Sequence, residues 1–225
     1  MDRVRHGPRA ALALVLILAG ATIGVLAAGR DGGADAQPAP GLRANLLPAA
    51  LDGAAAPRIA LRDQHGRRVD STRLARPYLV TFLYTHCVDV CPLIGSEIAD
   101  GLDQLGRRAD DVAVLAVSVD PRGDTPAAAR AWVAKRRLPR QFHYLLGAEP
   151  RLRPIWRDWY VIGAAGGLAD PRTHDASVWL VDRRGRLRGR WSGGEPIAPE
   201  DIAHDLQVLV DEDHQPAATR PSASA

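Results

Sequence analysis

Two stretches of the chain are almost uninterrupted runs of apolar residues. Residues 78–84 (Tyr-Leu-Val-Thr-Phe-Leu-Tyr) and 112–119 (Val-Ala-Val-Leu-Ala-Val-Ser-Val) are rich in β-branched and aromatic side chains, as central strands buried on both faces require. Between them, Leu93, Ile94, Ile98, Leu102 and Leu105 recur at helical spacing, which predicts a helix over 92–105. Residues 59–62 and 67–69 flank the turn signal Asp63-Gln64-His65-Gly66 and read as a hairpin, as do 177–181 and 187–191 around Asp182-Arg183-Arg184-Gly185-Arg186. Asp124-Thr125-Pro126 places a capping side chain ahead of a first-turn proline and predicts a helix running to about residue 137. A short strand over 142–145, a helix over 150–159 and a closing helix over 199–210 complete the pattern.

Strand, helix, strand, helix, then a hairpin and a helix imply an α/β domain: a thioredoxin-like mixed sheet flanked by helices. A flavodoxin-like sheet fits less well because of the late hairpin.

The region outside this domain has a different texture. Residues 10–28 are 19 residues without a charge, preceded by Arg3, Arg5 and Arg9 and followed by Arg30 and Asp31. A helix of that length spans roughly 28 Å, close to a bilayer's hydrocarbon core. The expectation is a single N-terminal transmembrane helix with residues 1–9 in the cytoplasm and the remainder on the periplasmic or extracytoplasmic side. A cleaved signal sequence is the alternative, since Leu26-Ala27-Ala28 offers small residues near a possible cut. Residues 29–57 contain 18 Ala, Gly or Pro among 29 and read as a flexible linker, and residues 212–225 as a disordered tail. Residues 58–211 are then one domain with room for a core.

Composition narrows the function by exclusion. Net charge is only +3, and 28 of the 29 basic residues are arginine, Lys135 being the exception. That balance does not suggest nucleic acid. The arginines of the 183–190 hairpin read as a solvated face that could also meet anionic lipid or an acidic partner. Two cysteines exclude a disulfide-rich scaffold and a four-cysteine metal site.

Those cysteines carry the chemistry. Cys87 and Cys91 lie in Thr85-His86-Cys87-Val88-Asp89-Val90-Cys91-Pro92, where a buried strand ends and a helix begins. Ligands bind at the carboxyl ends of strands in open α/β sheets, and a helix N-terminus favours thiolate. Three intervening residues permit a disulfide, and equally let both sulfurs hold one metal at about 2.3 Å. Two thiolates and an imidazole form a soft set suited to copper, Cu(I) in particular. The plain alternatives are a structural disulfide, which would add little stability across so short a loop, or two inert buried thiols.

The candidate third ligands are His65, His86, His143, His174, His204 and His214. His204 falls on a surface helix, His214 in the tail, His65 in a turn and His143 in a strand. His86 adjoins Cys87, but neighbouring side chains of an extended segment point apart. His174 precedes the strand 177–181 in a loop that, in a thioredoxin-like sheet, faces the cysteine loop. It is the favoured ligand against the plainer role of a surface histidine. Asp120 and Asp124 read first as turn and helix-cap residues, with shaping of the metal loop as the lesser reading. Trp156, Trp159 and Tyr160 read as core or rim packing.

Residues 81–92 (Thr-Phe-Leu-Tyr-Thr-His-Cys-Val-Asp-Val-Cys-Pro), Ser118-Val119-Asp120-Pro121 with Asp124-Thr125-Pro126, and His174 ahead of Trp179-Leu180-Val181-Asp182 together resemble the Sco/SenC/PrrC family across roughly 58–210. The resemblance implies a membrane-tethered, thioredoxin-like metallochaperone with Cys87, Cys91 and His174 as copper ligands for Cu(I), Cu(II) being left open. It also implies delivery of copper to the dinuclear centre of cytochrome c oxidase subunit II or a similar acceptor. The alternative within the family is a thiol-disulfide oxidoreductase for that subunit's cysteines or another extracytoplasmic partner. Val88 stands where the family usually has proline, and Asp175 where a serine or threonine is common. A peroxiredoxin-like peroxidase is a third reading, but it leaves the close spacing of Cys91 unexplained.

Overall fold

The computed structural model describes residues 41–44, 46–161, 176–193 and 195–214. Its centre is three parallel strands: β3 (Tyr78–Leu83), β4 (Ala113–Ser118) and β5 (Phe142–Leu146). Every residue of β3 and β4 is buried, which is why both read as continuous apolar runs rather than alternating ones. The hairpin β1 (Ala60–Asp63) and β2 (Arg68–Asp70) joins antiparallel to β5, and the hairpin β6 (Val178–Val181) and β7 (Leu187–Trp191) joins antiparallel to β3. The result is one mixed seven-stranded sheet in the order β2-β1-β5-β4-β3-β6-β7. Among the described residues four α-helices accompany it: α1 (Val90–Leu105), α2 (Pro126–Lys135), α3 (Glu149–Asp158) and α4 (Pro199–His214).

The helices start and pack for local reasons. Thr125 caps α2, its Oγ1 accepting from the Ala128 N–H at 3.1 Å, with Pro126 in the first turn. Helices α1 and α4 approach closely at Gly101, where a Cβ would lie 2.8 Å from Cγ2 of Ile202. Trp156 and Trp159 of the α3 region are buried, Trp156 donating from Nε1 to the Ser118 carbonyl at 2.9 Å; Tyr160 is exposed.

Two boundaries differ from the sequence reading. Residues 41–44 and 46–57, assigned by composition to the linker, are packed on the domain. Leu42, Ala44 and Leu47 are buried, and the Arg43 and Ala44 N–H groups donate to the buried Asp205 carboxylate at 2.8 and 2.7 Å. Leu46 N–H reaches the Arg190 carbonyl at 3.0 Å, and Gly53 N–H the Leu187 carbonyl at 2.9 Å. Gly189 permits this approach, since a Cβ there would stand 2.5 Å from that of Ala44. An abundance of Ala, Gly and Pro conceals two leucine anchors and a buried carboxylate that needs N–H donors. At the other end, α4 continues to His214 instead of stopping at 210. Its last turn is tied by a bidentate pair from Arg188 to Glu212 at 2.6 and 2.9 Å and by an ion pair between Arg108 and Asp211. The apolar stretch 10–28 lies outside the described residues; among those described, no helix is long and apolar enough to cross a membrane.

Candidate metal centre

β3 ends at Leu83 and delivers the chain into a turn closed by the Cys87 N–H donating to the Tyr84 carbonyl at 3.2 Å. Helix α1 starts three residues after Cys87, and its N-cap Asp89 makes no side-chain cap. The Cys91 N–H, in the first turn, instead donates to Sγ of Cys87 at 3.3 Å. That hydrogen bond folds the five-residue loop so that both sulfurs meet at the positive end of the helix. The thiols are free, Cys87 being 8% exposed and Cys91 fully buried. Val88 stands at the tip of the loop, 93% exposed.

The two thiols are electrostatically unlike. Burial pushes Cys87 up, but hydrogen bonds from the Cys91 thiol, from the Asp89 and Cys91 N–H groups and from the Tyr84 side chain outweigh it and hold Cys87 below an ordinary thiol. Burial pushes Cys91 up, and the Cys87 sulfur and the Asp124 carboxylate push it further the same way. One proton is therefore lost readily from the pair and the other is retained.

Asp124 is the residue whose position the sequence reading missed. It does not cap α2, because Thr125 does. Its carboxylate turns inward, 6% exposed, and accepts from three places: Thr85 N–H at 2.7 Å, Ser118 Oγ at 2.6 Å and the Tyr144 hydroxyl at 3.1 Å. These groups follow β3, end β4 and sit at the middle of β5, so one side chain ties all three parallel strands beneath the cysteine loop. Burial raises its pKa even though all three hydrogen bonds favour the ionised form. The available signal was two capping residues in succession, Asp124-Thr125, of which a helix can use only one. Asp120 does behave as a turn residue, accepting from the Arg122 and Gly123 N–H groups at 3.2 and 3.0 Å.

The histidines separate clearly. His86, its side chain 68% exposed, places Nδ1 4.0 Å from Oδ2 of Asp120. His143 is half-buried on β5, 3.4 Å from Asp63, and His204 lies 2.9 Å from Asp205 on α4. His174 and Asp175 lie outside the described residues. Val178 pairs with Thr81 in antiparallel sense, so β6 begins beside the end of β3 that carries the cysteine loop.

The family model SCO1/SenC matches residues 52–211, and the chain belongs to that family. The protein SenC of Rhodobacter capsulatus is 28% identical over 153 residues, covering 67% of each chain. An SCO2-like protein of Rickettsia typhi is 24% identical over 132 residues, covering 56% of this chain and 64% of that relative's length. The structure of Bradyrhizobium japonicum ScoI with copper bound superimposes with a TM-score of 0.58 at 30% identity, covering 69% of this chain and 99% of the other. The thioredoxin-like α/β fold expected from the order of elements is the fold observed.

Proposed function

We propose that this protein is a membrane-tethered copper carrier that holds copper with Cys87, Cys91 and His174. It passes the ion to an acceptor in cytochrome c oxidase assembly, with the dinuclear centre of subunit II as the recipient. The observation that carries this reading is the folded loop in which the Cys91 N–H reaches Sγ of Cys87 at 3.3 Å, bringing two soft donors together at a helix N-terminus. Membership of the SCO1/SenC family and the copper-bound state of the similar ScoI support copper as the cargo. The entry of β6 beside the cysteine loop supports His174 as the third donor. Residues 10–28 are the anchor, keeping the domain at the extracytoplasmic face.

Transfer follows from the same features. Cys87 supplies the thiolate, and Cys91 yields its proton as copper enters. Asp124 holds the loop from beneath while Cys87, the more exposed of the two sulfurs, meets an acceptor. Exposed Val88 and Leu93 give that acceptor an apolar contact beside the sulfurs. Copper stoichiometry of the full chain tests the reading: one equivalent is expected, lost in Cys87→Ser or Cys91→Ser and weakened in His174→Ala. Undiminished tight binding in His174→Ala removes that residue from the ligand set.

The unlike thiols favour a second reading, thiol-disulfide exchange. The Cys87 thiolate attacks a partner disulfide, forming a mixed disulfide and releasing one partner thiolate. Cys91, once deprotonated, attacks Cys87 Sγ and releases the second, leaving Cys87–Cys91 oxidised and the partner reduced. Cys91→Ser then traps the covalent mixed disulfide, and its absence refutes this reading.

A further inference from the structure

The strongest unassigned feature lies at the β2 edge of the sheet, away from the cysteines. A groove of about 1020 Å³ is lined by six arginines, Arg58, Arg62, Arg67, Arg68, Arg73 and Arg151, against two carboxylates, Asp63 and Asp70. Both carboxylates are already used. Asp63 pairs with Arg67 at 2.8 Å, and Asp70 pairs with Arg58 at 2.6 Å and meets Arg73 at 4.0 Å. Arg62, Arg68 and Arg151 have no carboxylate partner among the described residues, Arg62 donating only to the Gly66 carbonyl at 2.7 Å.

Three arrangements here cost stability, and all three face the same groove. Arg62 and Arg68 stand directly opposite in the β1–β2 register, both exposed, and like charges so placed repel. Arg151 sits in the first turn of α3, where the helix's positive end disfavours a cation. The N-cap of that helix, Ala148, offers no capping side chain, and Gly147 and Ala148 line the groove. The one acid in that turn, Glu149, is engaged by Arg153. A bound anion resolves all three conflicts at once.

We propose that this groove is a binding site for a phosphate group. Planar guanidinium forks match phosphate oxygens two at a time, and the N-terminal end of α3 adds positive potential. A free phosphate and an anionic phospholipid headgroup offer the same chemistry. The site shares no residue with the cysteine loop and stands independently of the copper reading.

The test is calorimetric titration of the full chain in a neutral detergent. The probes are inorganic phosphate and, separately, short-chain phosphatidylglycerol, with short-chain phosphatidylcholine as the zwitterionic control of zero net charge. Saturable binding of phosphate places the site among soluble phosphates, and binding of phosphatidylglycerol alone assigns it to lipid headgroups. In either case Arg62→Gln and Arg151→Gln weaken binding by about tenfold, the loss of one charge-assisted contact. The phosphate-free protein supplies a second readout, because Arg68→Gln relieves repulsion and leaves the melting temperature unchanged or higher. Binding of neither probe, affinities unmoved by the variants, or a lower melting temperature for Arg68→Gln in phosphate-free buffer overturns the assignment.

Discussion

Replacing Asp124 by alanine removes one carboxylate and leaves donors on three neighbouring strands without their shared acceptor. The Ser118 and Tyr144 hydroxyls are buried completely, and each unsatisfied buried donor costs about 1–3 kcal/mol. The Thr85 N–H is half-buried, and water meets part of its need. Against this stands the cost of keeping a carboxylate ionised in a buried site, which the raised Asp124 pKa records and which alanine removes. The balance is a loss of about 3 kcal/mol. Asparagine keeps an oxygen for Thr85 N–H and turns an amide toward hydroxyls that can rotate to accept, so Asp124→Asn loses only about 1 kcal/mol. Urea unfolding of both variants at neutral pH measures the difference. Equal losses in the two variants, or a loss below about 1 kcal/mol in Asp124→Ala, refute the view that one carboxylate braces the three strands.

Three further outcomes follow from the geometry. Cys87 reacts with iodoacetamide well before Cys91, read by peptide mass mapping of the reduced protein, because its thiol is held low and that of Cys91 is pushed up. Glu97 is buried, accepts from Ile197 N–H at 3.0 Å through Oε1 and leaves Oε2 without a partner among the described residues, and burial raises its pKa above the usual 4.5. Its contribution is therefore fully present below pH 4.5 and lost as pH rises through the folded value, so Glu97→Gln flattens the stability–pH curve in that window without destabilising the protein at pH 7. Gly101→Ala gains about 1 kcal/mol of helix propensity but drives a methyl to within 2.8 Å of Ile202 and 3.1 Å of the Pro199 carbonyl; a net loss of about 1–2 kcal/mol in thermal unfolding is expected.

What could be read from the residues alone was governed by range. The strands β3 and β4 were visible because burial on both faces writes itself as an unbroken apolar run, and both hairpins because Gly66 and Gly185 mark tight turns. The cysteine loop was visible because strand end, spacing and Pro92 are all local. Asp124 was not, since its three partners lie 39, 6 and 20 residues away and only the assembled sheet brings them together. The packing of residues 41–44 and 46–57 was hidden for the same reason, its partner Asp205 being 161 residues from Ala44. The opposition of Arg62 and Arg68 depends on hairpin register, which composition does not reveal. The 183–190 hairpin, read as a solvated basic face, is partly committed: Arg186 donates to the Gly53 carbonyl at 3.1 Å, and Arg188 pairs with Glu212.

The central claim is that two sulfurs and one imidazole hold a single copper ion. X-ray absorption on the copper-loaded full chain counts those neighbours directly. Two sulfur neighbours and one nitrogen are predicted, with the nitrogen alone lost in His174→Ala. A first coordination sphere holding fewer than two sulfurs, or one left unchanged by that substitution, would contradict it.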